Sequence, residues 1–545
     1  MGRVRTVVWR KSLIRGKPAL LIAAVICSAC AFVLVSGCEN VDLKDFIELM
    51  AGGGDAIYVS VATGNDDNEG TPKSPKKTIN AAIQQYLEEA RTGEVRVAEG
   101  TYEVSYVNKT HIVMQEGISL KGGYSKDFRH WDPDVYETIV EDVSLYGGSD
   151  VDPNRAIEAG SSVTSATFIE GFTVIGGGDN FTVAFMGIGT AIDIRNNVLI
   201  GGYDSTRSFA LALMGSSSAV EGNFLDGGSA TEITYGLFLD SCLADMVIVD
   251  NLIFGNSDYA MSSYGIYMDQ SQPYIAYNYI DGGWWAYYTE GIEVYESSPT
   301  IDNNIIYGGD SDWGSYGIMS DFGSSPAILN NTIMGGDASD ATGVAVGIDH
   351  VNSPDAVIRN NLISGGWGSM ASYGIRCSDA FASIQNNTID GGPSGETYGI
   401  YFNGPTTPAI QNNIIFPSGG VPNQCIWEQD APAAVIEYNN LWNMGDDTII
   451  LIRAASGNYY TTIGDAEAAL AYMTTGTNVN AEPGFEDIDG SDDDIFTMMD
   501  NDWHLRGNPY TDSSVQWGGV TLDFGTDKDD NPRTDLWSMG AYERD

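Results

Sequence analysis

Basic residues are scarce in this sequence. It has 26 lysines and arginines against 74 aspartates and glutamates, which gives a formal net charge of −48. No lysine occurs between Lys126 and Lys528. A surface of this charge repels nucleic acid and anionic membranes, so neither is expected as a direct partner of the folded chain. It also repels anionic polysaccharides unless divalent cations bridge the charges.

Helical patterns are missing from the middle of the chain, where a short phrase returns instead. Its clear copies include PTIDNNIIYGG (299–309), VIRNNLISGG (357–366) and SIQNNTIDGG (383–392). The last asparagine of each copy marks the repeat at Asn197, Asn223, Asn251, Asn278, Asn304, Asn331, Asn361, Asn387, Asn413 and Asn440. Nine steps cover 243 residues, a mean step of 27. A fixed period of this length predicts a solenoid.

Each period contains three short strand-like runs. One opens the period, as in YGIYMD (264–269), and the other two lie on either side of the asparagine pair. Three strands and their turns fill 27 residues, which predicts an all-β, right-handed parallel β-helix over residues 151–445. A leucine-rich repeat is the rival solenoid, but isoleucine dominates the periodic apolar positions and no part of the period has a helical pattern.

The marker asparagines are expected at a corner between two strands. Asparagine tolerates the left-handed backbone conformation that a sharp corner needs. Stacked coils place equivalent side chains about 4.8 Å apart, where amides can hydrogen-bond as a ladder.

The cysteines of the repeat region are expected to be unpaired. By the repeat, Cys377 and Cys425 lie two coils apart, about 10 Å, whereas a disulfide needs Cα atoms within ~7 Å. Cys242 is farther away still. The sequence predicts three buried thiols and no thiol nucleophile, because no histidine shares a coil position with any of them.

Residues 1–37 have the composition of an export signal. Residues 1–17 carry six basic residues, residues 18–35 are nearly all apolar, and Val35-Ser36-Gly37-Cys38 follows. These four residues resemble the lipobox of bacterial lipoproteins. The resemblance implies lipidation of Cys38, a lipid anchor in the membrane, and display at the outer membrane or the cell surface. A transmembrane anchor is the alternative, since the apolar run is near the shortest length that spans a bilayer.

A tether is expected at 38–54, followed by an N-terminal cap and irregular first coils at 55–150. Helical spacing in the cap is shown by Ile79, Ala82, Ile83, Tyr86, Leu87 and Ala90. The elements TGND (63–66), TINAAI (78–83) and GTY (100–102) resemble the N-terminal module of exported, pectate-lyase-like β-helix proteins of uncharacterised function. DWHLRGNP (502–509) and MGAYE (539–543) resemble their C-terminal segment. The resemblance implies that residues 446–545 cap the solenoid.

The opening strand of each coil carries the candidate binding residues. Alternation turns one apolar column inward and the next residues outward, namely Phe238, Tyr267, Glu293, Met319, Asp349, Arg376, Tyr401 and Trp427. In polysaccharide-processing β-helices, which the chain resembles, this face is a groove for the sugar chain. The candidate glycan-binding residues are Tyr267, Tyr401 and Trp427, together with Trp284, Trp285, Trp313 and Trp367 in the loops after the glycine pairs.

Two acids in the outward column are candidates for catalysis. Glu293 and Asp349 are two coils apart, about 10 Å, at the upper edge for an inverting carboxylate pair. Arg376 would neighbour Asp349 and keep it ionised, which suits a base. The motifs of polygalacturonases are absent, and the cations that pectate lyases use beside calcium are nearly absent.

Asp240 and Asp269 occupy equivalent positions in adjacent coils, about 5 Å apart, where they share a proton or bind a hard cation such as calcium. No cofactor is otherwise indicated.

Three hypotheses follow. The first is a lipid-anchored, non-catalytic surface protein that binds glycans or other envelope components. The second is a polysaccharide lyase or glycoside hydrolase acting in a groove on the same face. The third is a structural spacer.

Overall fold

The computed structural model describes residues 56–543, apart from 146–147, 150–151, 179, 204, 405–407, 421–422, 431, 488–501, 507–514, 516–518, 520, 523 and 534–536. The expected signal peptide, the tether and Cys38 therefore lie outside the described residues. Neither described helix is long and apolar enough to cross a membrane.

The described chain winds into a right-handed parallel β-helix, as predicted from the repeat. It has about 13 turns with roughly 26 residues per turn. Each regular turn gives one strand to each of three parallel sheets, and every strand pairs with its equivalents in the turns before and after.

The first sheet has 14 strands that precede the asparagine corner. They are Ile57–Val59, Gly93–Ala98, Ile118–Tyr124, Phe168–Glu170, Asp193–Arg195, Ala219–Glu221, Val247–Val249, Tyr274–Ala276, Thr300–Asp302, Ala327–Leu329, Ala356–Arg359, Ala382–Gln385, Ala409–Gln411 and Val435–Glu437. The third sheet has 13 strands that follow the same corner. They are Gly100–Val104, Thr138–Asp142, Thr173–Ile175, Val198–Ile200, Phe224–Asp226, Leu252–Phe254, Tyr279–Asp281, Ile305–Tyr307, Thr332–Met334, Leu362–Ser364, Thr388–Asp390, Ile414–Phe416 and Asn440–Leu441.

The second sheet contains the strands that open each period, and many of them are longer. Its 16 strands are Ile112–Val113, Asn154–Ala159, Phe181–Ile188, Ser205–Met214, Ala230–Asp240, Ser262–Asp269, Trp284–Tyr295, Asp310–Asp321, Asp337–Ala338, Val344–Val351, Trp367–Gly368, Ala371–Ser378, Glu396–Asn403, Asn423–Glu428, Ile450–Arg453 and Tyr459–Tyr460. Ile450–Arg453 and Tyr459–Tyr460 pair antiparallel. A separate antiparallel pair is formed by Phe485–Asp487 and Asp502–Leu505.

The core is built from columns of identical residues. Ile266, Ile292 and Ile318 are register partners in successive turns, and all three are fully buried. Similar columns line the inner faces of the other sheets, so each added turn buries apolar area against the turn before it. Cys242, Cys377 and Cys425 are buried and unpaired, as expected.

The asparagine ladder exists, but the left-handed residue is not the one predicted. Side-chain amides of successive ladder asparagines bond at 3.0 to 3.3 Å from Asn197 to Asn478. From Asn197 to Asn439, the residue with positive φ is the one before each ladder position, such as Asn303 or Asn412. The ladder position in the tenth copy is Asn439, because Tyr438 is its left-handed residue. The corner therefore uses two residues, one for the turn and one for the ladder.

A second corner repeats this device with serine. Ser271, Ser297 and Ser324 are buried, and each hydroxyl accepts the backbone N–H of the equivalent residue one turn earlier at 2.9 to 3.1 Å. The residue before Ser271 and the residue before Ser297, Gln270 and Glu296, have positive φ. Both corners thus satisfy backbone groups that would otherwise be buried without partners.

The ends of the solenoid are covered by different means. Helix α1 (Ile79–Glu88), capped by the Thr78 hydroxyl, packs Ile79, Ala82, Ile83 and Tyr86 against the first turns. The predicted apolar stripe was too long, because Leu87 is 48% exposed and Ala90 lies beyond the helix. Helix α2 (Ile463–Ala469) lies in the tail.

The C-terminal segment runs back along the asparagine corner. Buried Arg533 donates to the Asn360 side chain at 3.1 Å, and Gly540 donates its N–H to the Asn412 carbonyl at 2.7 Å. Met539 and Trp503 pack with Phe416 on the outer side of the third sheet. This tail therefore covers a side of the solenoid.

Candidate functional site

A glycine kink gives the second sheet two outward columns where one was predicted. Gly265, Gly291 and Gly317 stand mid-strand, and a Cβ at any of them would lie 2.6 Å from the carbonyl oxygen of the next glycine. A side chain at these positions would therefore clash with the next strand, so only glycine fits there. The side chains just before and two residues after the glycine both turn outward, as the 5.4 Å contact between the rings of Tyr264 and Tyr267 shows.

We name the two sets of residues by their place beside the glycine. Column 1 precedes it and contains Phe209, Tyr235, Tyr264, Glu290, Tyr316, Val346, Tyr373, Tyr398 and Gln424. Column 2 is the predicted outward column, Phe238, Tyr267, Glu293, Met319, Asp349, Arg376, Tyr401 and Trp427. Column 1 was not predicted from the sequence. The sequence signal for it was the recurring Tyr-Gly pair, in which Glu290 takes the place of the tyrosine in one coil.

The earlier end of the two columns is aromatic. Tyr235 stacks between Phe209 and Tyr264 with ring centroids 4.6 and 5.3 Å away. Phe238 and Tyr267 stack in parallel at 5.6 Å in column 2. Successive rings one coil apart make a continuous apolar surface, because the sheet spacing is close to the spacing of stacked rings.

The later end is aromatic as well. Tyr373 stacks on Tyr398 at 4.8 Å, and Trp427 contacts the rings of Tyr398 and Tyr401 at 5.3 and 6.1 Å. The Arg453 guanidinium lies 4.6 Å from the centre of the Trp427 ring. Tyr401 and Trp427 remain half-buried.

A pair of glutamates lies between the two aromatic ends. Glu293 was predicted to face solvent, but it is only 7% exposed, and Glu290 beside it is 6% exposed. Burial raises the pKa of both carboxyls, most strongly that of Glu293, where the charge and contact of Glu290 add to the effect, whereas the contact with Glu293 lowers the pKa of Glu290. Two buried carboxyls this close favour sharing a proton. Glu290 Oε2 is buried without a hydrogen-bond partner among the described residues.

The second predicted acid, Asp349, was also expected to face solvent and is 1% exposed. Arg376 holds it with two bonds, Nε to Oδ1 at 2.9 Å and Nη2 to Oδ2 at 2.5 Å. The same guanidinium lies over the rings of Tyr316 and Tyr373, 5.9 and 5.3 Å from their centres. Each carboxylate oxygen of Asp349 therefore already accepts one hydrogen bond from Arg376. Glu293 and Asp349 are two strands apart through Met319.

The tryptophans that were predicted to lie in loops are in strands of the second sheet, toward the N-terminal ends of those strands. Trp284 and Trp285 begin the strand Trp284–Tyr295, Trp313 lies within Asp310–Asp321, and Trp367 begins a two-residue strand. Their exposed fractions range from 41% to 60%. Trp284 is aligned through Asp310 and Asp337 with Trp367. We call these four tryptophans the edge tryptophans.

A series of aromatic contacts runs from the edge tryptophans towards the acidic residues in the middle of the two columns. The Tyr288 ring contacts Trp313 at 5.8 Å. A Cβ at Gly314 would lie 3.0 Å from the Tyr288 ring and 2.9 Å from the Tyr316 ring, so the two rings meet over this glycine. Tyr316 in turn contacts Arg376. Trp313 and the two columns therefore form one connected outer surface.

The two residues predicted for calcium lie side by side in adjacent strands. Asp240 and Asp269 are register partners, and burial and the Asp240 charge raise the pKa of Asp269. Nowhere in the part of the chain that the structure describes do three or more histidine, cysteine or acidic side chains come together as a metal site. Calcium takes 6 to 8 oxygen ligands, so two carboxylates would leave most of its shell to water or to a bound ligand, and calcium binding at this pair stays a prediction.

A cavity of about 580 Å³ at the N-terminal end is lined by the start of helix α1 and residues of Gly100–Val104. The Thr78 hydroxyl caps the helix there by accepting from the Ala81 N–H at 3.2 Å, and Asp66 accepts from the N–H groups of Lys77 and Thr78 just before the helix at 2.9 and 2.8 Å. The cavity is remote in sequence from the columns, and it contains none of the predicted site residues.

Asp281 gives a prediction about pH and stability. Burial raises its pKa to about 7, with a further contribution from the Asp310 charge, while the Gly283 N–H opposes the shift. An unfolded aspartate titrates near 3.9. The stability that the proton confers is therefore complete below about pH 4 and is lost as the pH rises towards 7. Asp281→Asn keeps the acceptor for Gly283 and should raise the free energy of unfolding by about 1–3 kcal/mol at pH 8 and little at pH 4.

The measurement is urea unfolding at both pH values. The control is Asp312→Asn, whose carboxylate is exposed and which should change neither value. An equal gain at pH 4 and pH 8 for the Asp281 variant would show that its carboxyl is not held protonated.

Two family profiles match parts of the chain. Residues 261–415 match the family described as right handed beta helix region, and residues 62–276 match a protein family of unknown function, DUF1565. No curated protein is similar enough in sequence to count as a match.

Solved structures of similar fold include a tailspike protein, a lyase and a surface adhesin. The Dettilon tailspike protein is 12% identical with a TM-score of 0.37, covering 75% of this chain and 69% of its own. An alginate lyase from Paenibacillus is 14% identical with a TM-score of 0.33, covering 64% and 98%. PfbA, a surface adhesin of Streptococcus pneumoniae, is 12% identical with a TM-score of 0.33, covering 67% and 92%. Similarity at this level transfers no activity, substrate or partner to the chain.

Proposed function

We propose that the outer surface of the second sheet is a binding track for a glycan chain. The observation that carries the proposal is the order of side chains along columns 1 and 2, with stacked aromatic rings at both ends and a carboxyl pair between them. Sugar rings stack on aromatic faces through their apolar C–H faces, and carboxyls bond to sugar hydroxyls. An outward sheet face without a ligand has no need of a buried, unpaired carboxyl oxygen, which costs free energy.

We also propose that this protein is exported. Residues 1–38 carry the signal and the lipobox-like sequence, so we place the β-helix outside the inner membrane, tethered by lipid on Cys38 at the outer membrane or the cell surface. The expected partners are glycans or other envelope or extracellular components, and no direct contact of the folded part with nucleic acid is expected because of its charge.

Glycan cleavage is the second candidate function, and the raised pKa of Glu293 favours it. A carboxyl that keeps its proton near neutral pH can act as a general acid. The partner acid does not support the reaction, because Asp349 is locked in two bonds with Arg376. Binding without turnover is therefore the function that the geometry supports best.

A glycan-array screen of the purified protein, with and without calcium, tests the proposal. For any glycan bound, Tyr401→Ala with Trp427→Ala should weaken binding at least about 30-fold, since a buried aromatic anchor often contributes 2 kcal/mol or more. Phe381→Ala is the control, because this exposed ring lies outside the columns. Trp285→Ala reports separately on whether the edge tryptophans take part.

Release of reducing ends and of unsaturated products from the bound glycan separates the two candidates. Product that disappears in Glu293→Gln would establish cleavage. Binding that the column variants leave unchanged would reject the track.

A further inference from the structure

The central carboxyl pair is surrounded mostly by groups without charge. The turn before it presents Tyr264 and Tyr267, and the turn after it presents Tyr316 and Met319. The charged groups that face the pair are Asp321, Asp349 and, beyond Asp349, Arg376.

The cations of this sheet are already engaged. From Ser205–Met214 to Ile450–Arg453 its described strands contain three arginines and no lysine. Arg376 is held by Asp349, and Arg207 pairs with Glu232 at 3.2 Å. Arg453 donates to the Glu428 carbonyl at 2.6 Å and lies over Trp427. None of the three stands beside Glu290 and Glu293 as a counter-ion for an acidic ligand.

We infer that the glycan on this track is neutral and that the Glu290–Glu293 pair donates a hydrogen bond to one of its oxygens. The inference rests on the proposed function and adds the substrate class. A uronate or sulfated chain would place its charges against Glu290, Glu293 and Asp349, where like charges repel at short range. Glu290 Oε2 is buried and has no partner among the described residues, so the pair has hydrogen-bonding capacity that the sheet itself does not use.

The same arrangement makes neutral-glycan binding sensitive to pH. The proton that the pair retains is the donor when a sugar oxygen accepts it in place of the second carboxyl, and burial of the two carboxyls holds it to higher pH than an isolated glutamate would. Once the pair is fully ionised, it presents two acceptors and no donor. Affinity for a neutral glycan should therefore fall as the pH rises through the pKa of the pair.

The experiment compares two sets of polysaccharides on the purified protein by affinity electrophoresis and calorimetry. The neutral set is a β-glucan, a galactomannan and a xylan, and the uronate set is polygalacturonate and alginate, each with calcium or with EDTA. We expect at least one neutral polymer to bind about tenfold or more tighter than either uronate polymer. Its affinity should drop several-fold between about pH 5 and about pH 9.

The double variant Glu290→Gln with Glu293→Gln tests whether binding depends on the titratable proton of the pair or only on the shape of the two side chains. The amides donate at every pH, so in this variant the ratio of the affinities at about pH 5 and about pH 9 should be close to one, whatever the absolute affinity. If the variant does not fold, the comparison of neutral and uronate polymers on the unchanged protein still decides the question.

The outcomes distinguish the two proposals. Tighter binding of a uronate polymer, or neutral binding that is constant with pH in the unchanged protein, would overturn the neutral-glycan inference and leave the track in place. Absence of binding to any glycan would overturn both.

Discussion

Arg376→Ala is expected to lower the free energy of unfolding by about 3–5 kcal/mol, because it leaves a buried carboxylate without its partner. Asp349 is 1% exposed and receives two bonds from this guanidinium. The change also removes a cation that lies over the rings of Tyr316 and Tyr373. Glycan binding should fall with it, since both rings belong to column 1.

Two further variants show whether the loss comes from the unpaired charge. Adding Asp349→Asn to Arg376→Ala removes the buried charge and should recover part of the stability. Arg207→Ala breaks a partly exposed pair with Glu232 on the same sheet and should cost under about 1 kcal/mol. Urea unfolding measures all three. A cost for Arg376→Ala as small as that for Arg207→Ala would contradict the described burial of the Asp349 pair.

Asn331→Leu is expected to destabilise the solenoid by about 3–4 kcal/mol, the second large effect. The side chain is fully buried in the middle of the ladder. It donates to the Ile301 carbonyl at 2.9 Å and to Asn361 Oδ1 at 3.1 Å. It also accepts from the backbone and side-chain amides of Asn304 at 2.8 and 3.1 Å. Leucine has a similar volume but leaves these buried groups without partners.

The matched control is Asn303→Gly at the neighbouring corner. Asn303 has a φ of 54° and is only partly buried, and glycine adopts this conformation without strain. Its effect should stay within about 1 kcal/mol. Thermal unfolding of both variants gives the comparison. Equal costs would mean that the corner conformation, and not the ladder, carries the stability.

The repeat phrase was enough to predict the architecture. The marker asparagines recur at a regular spacing, with isoleucine on either side. This pattern left few alternative folds, because each turn must bury one apolar residue of each isoleucine column and satisfy the amides at its corner. It did not identify which asparagine turns the chain. At Tyr277 and Tyr438 the left-handed residue is a tyrosine, so composition alone did not show that this position precedes the ladder.

The site was only partly predictable. Alternation gave the face of Glu293 and Asp349, but not their depth, which depends on the size of neighbours in three successive turns. The kinks at the mid-strand glycines turn Glu290 and the rest of column 1 to the same surface. Strict alternation of side chains along a strand does not predict such a kink. The placement of Trp284 and Trp313 in strands follows from their pairing with the next turn, which no local pattern shows.

The most direct test of the binding track is a crystal structure of the protein soaked with the oligosaccharide that binds best in the screen. The track predicts sugar rings over Tyr373, Tyr401 and Trp427, with a hydroxyl or ring oxygen within hydrogen-bonding distance of Glu290 or Glu293. A sugar chain bound elsewhere, with columns 1 and 2 bare, would contradict it.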